Sequence, residues 1–346
     1  MKKSENFKFG DNHIETVNDF NYLGIKFNYN NRVKASIIKQ VAQAKRAMYS
    51  LITKARKLDL PIDIQLDLFD HLVTPILLYG CEVWGFADLV EVEKLYLRFC
   101  KLILRIRTNT SSCMVYGEIG RCAMRTVIER RLTMYWFKLA NSKSSKLSNI
   151  IYRLTRTLFD KGIYQSPWLC KVKNILDKTG LSYIWNSDVE LINPTWLKST
   201  LKQTLHDMFI QEWNAEVFNK SSCLNYRIFK SELQFENYLI TLSNRDRISL
   251  CKFRCGNNKL PIITGRYQGI ERNDRICSLC DRHQLGDEFH YLFECNFFAA
   301  ERKQYLRPFY RVRPNTLKMC KLMNNQNRNE LSNLVKFCCC IMKTFN

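Results

Sequence analysis

Arg275–Phe297 reads RICSLCDRHQLGDEFHYLFECNF and sets Cys277, Cys280, His290 and Cys295 in the pattern C-x2-C-x9-H-x4-C. Two thiolates two residues apart can grip one metal from a tight turn. A His and a third Cys then complete a tetrahedral Cys3His set, the kind zinc takes in a structural role. Protein side chains fill all four positions, so none is left open for a reacting water. His290-x4-Cys295 has the half-spacing of a zinc knuckle, and DRHQLGDEF between the pairs is loop-like. NFFAAERKQYL reads as a helix that could carry the last ligand on its first turn. The other reading is ordinary buried thiols, because a chain with fifteen cysteines can produce Cys-x-x-Cys by chance. His283 is the alternative histidine, but only two residues separate it from Cys280 and the chelate would be cramped.

Immediately upstream, Arg245, Arg247, Lys252, Arg254, Lys259 and Arg266 crowd into Ser231–Cys255 and the NNKLPII-Thr-Gly-Arg segment that follows. This is a dense basic patch leading into the metal motif. Downstream, Asn329–Thr344 reads as a terminal helix. The charge of the whole chain agrees with the patch. Its 54 Lys and Arg oppose 32 Asp and Glu, a formal +22, and a surplus of that size attracts polyanions, of which nucleic acid is the commonest. Hydrophobic residues make up 46% of the chain and aromatics 12%, enough for packed cores and wrong for a disordered tail.

The opening MKKSENFKFG has no apolar core of a secretory signal, and no run approaches the roughly 18 apolar residues of a membrane helix. The cysteines are scattered rather than arranged as a framework, and Cys338-Cys339-Cys340 would be awkward under oxidation. A reducing compartment, nuclear or cytoplasmic, is the expectation, with no membrane partner.

Toward the N-terminus, Phe7–Phe9, His13–Val17 and Phe20–Phe27 read as short strands separated by turns. Such strands must lie against the following helices or belong to a sheet completed elsewhere. After a turn at Asn28–Asn31, an amphipathic helix is expected from about Arg32 to Leu58, its stripe formed by Val33, Ile37, Val41, Ala44, Met48, Leu51 and Ala55. Lys34, Lys39, Lys45, Arg46 and Lys54 decorate the rest, with no acid anywhere between Arg32 and Leu58. A one-sign face of this kind favours phosphate contact. A helix bent at Pro75 is expected over Ile62–Leu78, then the aromatic turn YGCEVWG at Tyr79–Gly85. Further helices are expected at Leu89–Arg107 and Cys122–Leu139, with a polar loop at Thr108–Ser112. Asn141–Ser148 is the candidate linker. Beyond it, helices are expected at Asn149–Phe159, Trp168–Thr179 and Thr195–Asn219, the last with Trp196, Phe209, Trp213 and Phe218 in the core.

Catalytic signatures are missing from the sequence. No Gly-rich loop has the spacing to cradle a nucleotide, and no adjacent aspartates occur that could hold two metals. Asp67 and Asp70 in LDLFDHL read as helix surface, and His71 as a satisfied core or rim residue. No magnesium site is visible.

Taken in order, FNYLGIKF, the basic helix, LFDHLVTPILLYGCEVWG and LCKFRCGNNKLPIITGRYQGI followed by CSLC and DEFHYLFEC resemble the C-terminal half of a reverse transcriptase from a non-LTR (LINE-type) retrotransposon. YGCEVWG and the Cys/His block carry most of that likeness, and residues 141–244 carry little of it. The resemblance implies that Tyr22, Leu23 and Gly24 correspond to the hairpin at the palm–thumb junction that steadies a primer end. It implies that residues 7–30 resemble the end of a palm and residues 31–140 a basic thumb and connection gripping template and primer. Residues 245–310 would be the zinc-binding segment with its basic lead-in, and residues 311–346 a helical tail. The fingers, the palm with its paired magnesium-binding aspartates, and the endonuclease would lie upstream of Met1, so the chain would not act as a polymerase alone and its missing half would be a partner.

The expectation is therefore a mainly α-helical protein with a small N-terminal β-hairpin cluster and a C-terminal Cys3His zinc-binding segment. It would bind RNA or DNA through the helix cations Lys34, Lys39, Lys45, Arg46 and Lys54 and through Arg245, Arg247, Lys252, Arg254 and Arg266. A zinc-stabilised helical scaffold for protein contacts is the rival.

Overall fold

In the computed structural model, which describes residues 7–28 and 33–345, the chain is mainly helical, with two small antiparallel hairpins at its N-terminal end. Most of the turn expected at Asn28–Asn31, and the helix start expected at Arg32, lie outside the described residues.

The first hairpin pairs Phe7–Phe9 with Asn12–Ile14, turning at Gly10 (φ 60°). The second corrects the single strand expected over FNYLGIKF. Asp19–Tyr22 pairs with Ile25–Asn28, Tyr22 stands opposite Ile25, and Leu23-Gly24 is a two-residue turn. Both turn residues have positive φ, 45° and 84°, which a two-residue turn needs if its twist is to match that of its strands. Gly24 adopts this at little cost, whereas Leu23 is held there against its preference. What holds it is a set of hydrogen bonds: the Tyr79 hydroxyl donates to the Leu23 carbonyl at 2.9 Å, Gln40 Nε2 to the Gly24 carbonyl at 3.2 Å, and Ser36 to the Lys26 carbonyl.

The described chain divides into two compact units. The first comprises residues up to Ser50, Asp70–Leu95 and Met124–Lys202; the second comprises Leu51–Phe69, Tyr96–Ala123 and Gln203 onward. Residues 7–30 fall in the first, residues 31–140 and 141–244 contribute to both, and residues 245–310 and 311–346 fall in the second.

In the first unit the helices Met124–Ala140 and Pro167–Lys178 build a core around Leu132, Trp136, Leu169, Val172, Ile175 and Leu176. Trp136 and Trp185 stack with centroids 5.5 Å apart, and the Arg156 guanidinium lies 3.9 Å from the Trp185 ring centroid. The YGCEVWG segment is a short helix, Cys81–Trp84, entered through Gly80 at φ 70°. Gly85 is required because a β-carbon there would lie 2.6 Å from Ile128 and 2.5 Å from the Cys81 carbonyl. The one helix expected over Ile62–Leu78 is three pieces: Ile62–Leu68, a π turn over Phe69–Val73, and Thr74–Leu77. Pro75 explains the wide turn, since its ring would clash with the carbonyl four residues back in a regular helix.

The second unit contains an eight-residue helix, Ser112–Ile119, beginning at the end of the expected polar loop; all its residues but the first are buried. At its end Gly120 sits at φ 62°, and a β-carbon there would lie 2.1 Å from the Phe235 amide. The Pro194–Asn219 helix passes Phe209 and Trp213 through the interior, with Trp213 donating to the Cys113 carbonyl at 2.7 Å. Phe218 is exposed, and so is Trp196 on the part of this helix belonging to the first unit, contrary to the core role expected for both. Both sit about half a turn round from Phe209 at 100° per residue, on the opposite face. The C-terminal helix is Arg328–Thr344, and its Phe337 meets Phe298 at 6.3 Å.

A buried charge network ties this unit together. Arg254, with no exposed side-chain surface, places Nε 3.1–3.2 Å from both Glu118 oxygens, donates to the Met323 carbonyl at 2.8 Å, and lies 3.0 Å from Glu236. Lys230 pairs with the other Glu236 oxygen, and the Tyr238 hydroxyl donates to Glu118. Two carboxylates and two cations cancel, which is the condition under which such charges tolerate burial.

Candidate metal centre and nucleic-acid interface

Cys277, Cys280, His290 and Cys295 offer four ligand atoms, all within 4.8 Å of one another. The Cys277 and Cys295 sulfurs are 3.8 Å apart, and Cys280 Sγ is 3.4 Å from His290 Nε2. Sulfurs about 2.3 Å from a central ion at the tetrahedral angle would stand about 3.8 Å apart, so the observed edge fits such an ion. Local backbone bonds create the arrangement. The Cys277 amide donates to the Gln284 carbonyl at 2.8 Å and Ile276 bridges to Leu285, closing the loop that carries the Cys-x-x-Cys pair. Within it the Leu279 amide donates to Cys277 Sγ at 3.3 Å. His290 rides on the helix Glu288–Phe293, whose N-cap Asp287 accepts from the His290 amide at 2.9 Å.

Gln284 Oε1 lies 3.0 Å from His290 Nδ1, which assigns the ring proton to Nδ1 and leaves the Nε2 lone pair facing the cysteines. Burial keeps the His290 pKa below its ordinary value, with Glu294 pulling it partly back, so the neutral ring that ligates metal is favoured. Burial opposes ionisation of Cys277, yet the Leu279 amide, which donates to its sulfur, and the neighbouring Tyr291 hydroxyl and Cys280 and Cys295 thiols together hold its thiol low; burial pushes Cys295 up to about 12. Behind the site the buried Arg302 donates to the carbonyls of Leu292, Tyr291 and Cys295 at 2.8, 3.1 and 2.9 Å. It thereby satisfies a helix end that would otherwise be orphaned. Cys295 sits just before a short 3-10 turn, Asn296–Phe298, and not on the helix expected to carry it, because that helix starts at Ala299.

The second feature of this unit is a groove of 580 Å³ whose wall carries Arg105, Arg107, Arg245, Lys252, Lys259 and Lys343 and no carboxylate. Arg245, Ser249 and Lys252 reach it from positions i, i+4 and i+7 of the helix Asn244–Arg254, one face of a 3.6-residue period. Arg105 and Arg107 reach it because the helix Val90–Leu104 ends in a left-handed residue, Arg105 at φ 57°, with the Ile106 amide returning to the Lys101 carbonyl at 3.1 Å. Asn257 then accepts from the Arg107 amide at 2.6 Å and pins that corner.

The groove thus gathers Arg245 and Lys252 from the expected nucleic-acid contacts, and Arg266 lines an adjoining basin. Arg247 and Arg254 are corrections. Each points inward from the same helix, Arg247 donating to the Ile103 carbonyl at 3.3 Å and Arg254 lying inside the charge network, so neither presents its charge to a phosphate. On the helix Lys34–Lys57, Lys34, Lys45, Arg46 and Lys54 are exposed, and Lys39 donates to Asn21 at 2.9 Å. Tyr22 and Leu23 form the exposed tip of their hairpin, and Gly24 faces Tyr79. Arg105, Arg107 and Lys343 were not expected at this site. The Arg-x-Arg at a helix end is a visible signal, whereas Lys343 is placed there by folding alone.

Among the described residues, no helix is long and apolar enough to cross a membrane. No family model matches the chain, and neither the curated proteins nor the solved structures contain a match.

Proposed function

We propose that this chain is a nucleic-acid-binding half of a non-LTR-type reverse transcriptase, working in a nuclear or cytoplasmic setting where its fifteen free cysteines stay reduced. The observation that carries this reading is the groove of six cations with no carboxylate in its wall, which suits a run of phosphates. The four-ligand cluster would hold structural zinc. Three sulfurs and one imidazole at tetrahedral spacing suit that ion better than the oxygen-seeking magnesium or calcium. Zinc would staple the loop and helix of residues 275–298 and leave no coordination position for chemistry. The resemblance carries over to Tyr22, Leu23 and Gly24 as contacts to a primer end, and to the helix cations from Lys34 to Lys54 as backbone contacts. The partner this reading implies is a palm and fingers half.

The test is retention on an immobilised single-stranded RNA at low and high salt. Wild-type protein should elute with salt, and reversing Arg245 and Lys252 to Glu should abolish retention. Loss only on reversing Lys39, Lys45 and Arg46 would move the contact to the N-terminal helix. Retention unaffected by both salt and the reversals would sink the reading. Primer extension by the chain alone, with magnesium and deoxynucleotides, should yield nothing.

A second reading, a protein-docking scaffold, is favoured by one observation. The helix Leu147–Asp160 exposes Leu147, Ile150, Ile151 and Leu154 in a single row.

A further inference from the structure

Beside the basic groove, and sharing Arg107 and Asn257 with it, lies a basin of 460 Å³. Its size falls within the roughly 300–1,000 Å³ of small-ligand pockets. It too has no carboxylate in its wall, where Arg107, Arg266 and Lys220 supply the charge, although Lys220 is also paired to Glu216 behind it. Two features set it apart from the groove. The first is an aromatic ring: Tyr267 is 58% exposed, its hydroxyl accepts from Asn109 Nδ2 at 3.0 Å, and the Arg266 guanidinium lies 5.3 Å from the ring centroid. The ring is thus fixed at its hydroxyl end and backed by a cation, and more than half of its surface remains open to solvent.

The second feature is the start of the helix Ser112–Ile119. Ser111 and Met114 line the basin, and Ser111 makes no side-chain cap bond to the first-turn amides. The helix start, whose partial positive charge favours an anion, stands in the same wall as three cations and an exposed aromatic ring, and its Ser111 hydroxyl accepts from Lys220 at 3.1 Å.

We propose that this basin receives one unpaired nucleotide of the strand whose phosphates follow the groove, its base stacked on Tyr267 and its phosphate held by Arg107, Arg266 and the helix start. The inference rests on the nucleic-acid reading above and adds a preference that reading does not require. A phosphate groove alone treats a blunt duplex and a duplex with an unpaired tail alike. The stacking subsite favours the tail. A free mononucleotide offers the same chemistry, so the test separates the two sources.

The experiment is fluorescence anisotropy of the full chain at fixed salt, with a blunt 12-base-pair RNA duplex of two strands and the same duplex carrying a tail of four unpaired nucleotides. One stacked base should make the tailed probe bind about 5- to 150-fold tighter. Tyr267→Ala should bring that ratio to about 1 while leaving blunt-duplex affinity within about twofold, and Asn109→Ala, which frees the ring, should reduce it. Arg245→Gln with Lys252→Gln should weaken both probes and keep the ratio. Equal binding of the two probes by wild type, or a ratio that survives Tyr267→Ala, overturns the subsite and leaves the groove standing. No binding of either probe at low salt overturns both. Micromolar binding of AMP, measured by titration calorimetry, together with no tail preference, assigns the basin to a free nucleotide and overturns the strand-borne form.

Discussion

Neutralising Arg245 and Lys252 tests the groove quantitatively. Each cation engaging a phosphate of a single strand contributes about 0.7 to the slope of log affinity against log salt. Full use of the six cations that line the groove therefore predicts a slope of about −4. Raising salt from about 50 to about 200 mM should then weaken binding roughly 300-fold. Arg245→Gln with Lys252→Gln leaves four cations and a slope of about −2.8, so the same step should cost only about 50-fold. Both side chains lie on the outward face of the helix Asn244–Arg254, whose inward face carries Leu250, Cys251, Phe253 and Arg254. The double substitution should therefore leave the fold intact, which circular dichroism can check. The assay is anisotropy of a labelled 20-nucleotide single-stranded RNA at four salt concentrations. A slope within about 0.3 of wild type in the double variant would refute the groove as the phosphate track. A matching loss in Lys45→Gln with Arg46→Gln would instead assign the track to the N-terminal helix.

Three further outcomes follow from the structure. Replacing Cys277 and Cys280 by Ser should remove about one equivalent of zinc by mass spectrometry and speed hydrogen exchange across Glu288–Phe293, because metal binding and local folding are coupled; unchanged metal content would refute the site. Arg254→Met should cost about 3–5 kcal/mol in urea unfolding, since it strands Glu118 and Glu236 with only Lys230 to balance them. Adding Glu118→Leu should recover most of that by restoring neutrality, and a purely additive double variant would count against the network. Burial works against the charge on Glu129, but hydrogen bonds from Lys178 and Lys171 at 2.7 and 2.9 Å outweigh it and hold its pKa below the ordinary 4.5. A depressed carboxylate pKa stabilises the folded state above pH 4.5, and that contribution is lost as pH falls through the folded value. Glu129→Gln should therefore flatten the acid limb of the unfolding curve below that pH; an unchanged limb would assign acid sensitivity elsewhere.

Local chemistry was enough to place much of this protein. The apolar stripe from Val33 to Ala55 specifies a helix whatever it packs against, because a 3.6-residue period has one low-energy use. Cys277, Cys280, His290 and Cys295 were legible because a metal site leaves its ligand spacing in the chain, and a closed loop and one helical turn suffice to bring them together. Tertiary structure decided the rest. FNYLGIKF is apolar enough for one strand, and its turn depends on bonds from Gln40 and from Tyr79, 56 residues beyond Leu23. Arg247 and Arg254 are indistinguishable in sequence from Arg245 and Lys252, four basic residues on one helix. Their fates differ because 100° per residue turns two toward buried carbonyls and carboxylates and two toward solvent, and because Glu118, 136 positions away, meets one of the inward pair. The groove needs Arg105, Arg107, Lys252 and Lys343 from three distant helical segments. Charge on a linear chain reports how strongly an anion will be attracted, and only the folded backbone determines where those charges converge.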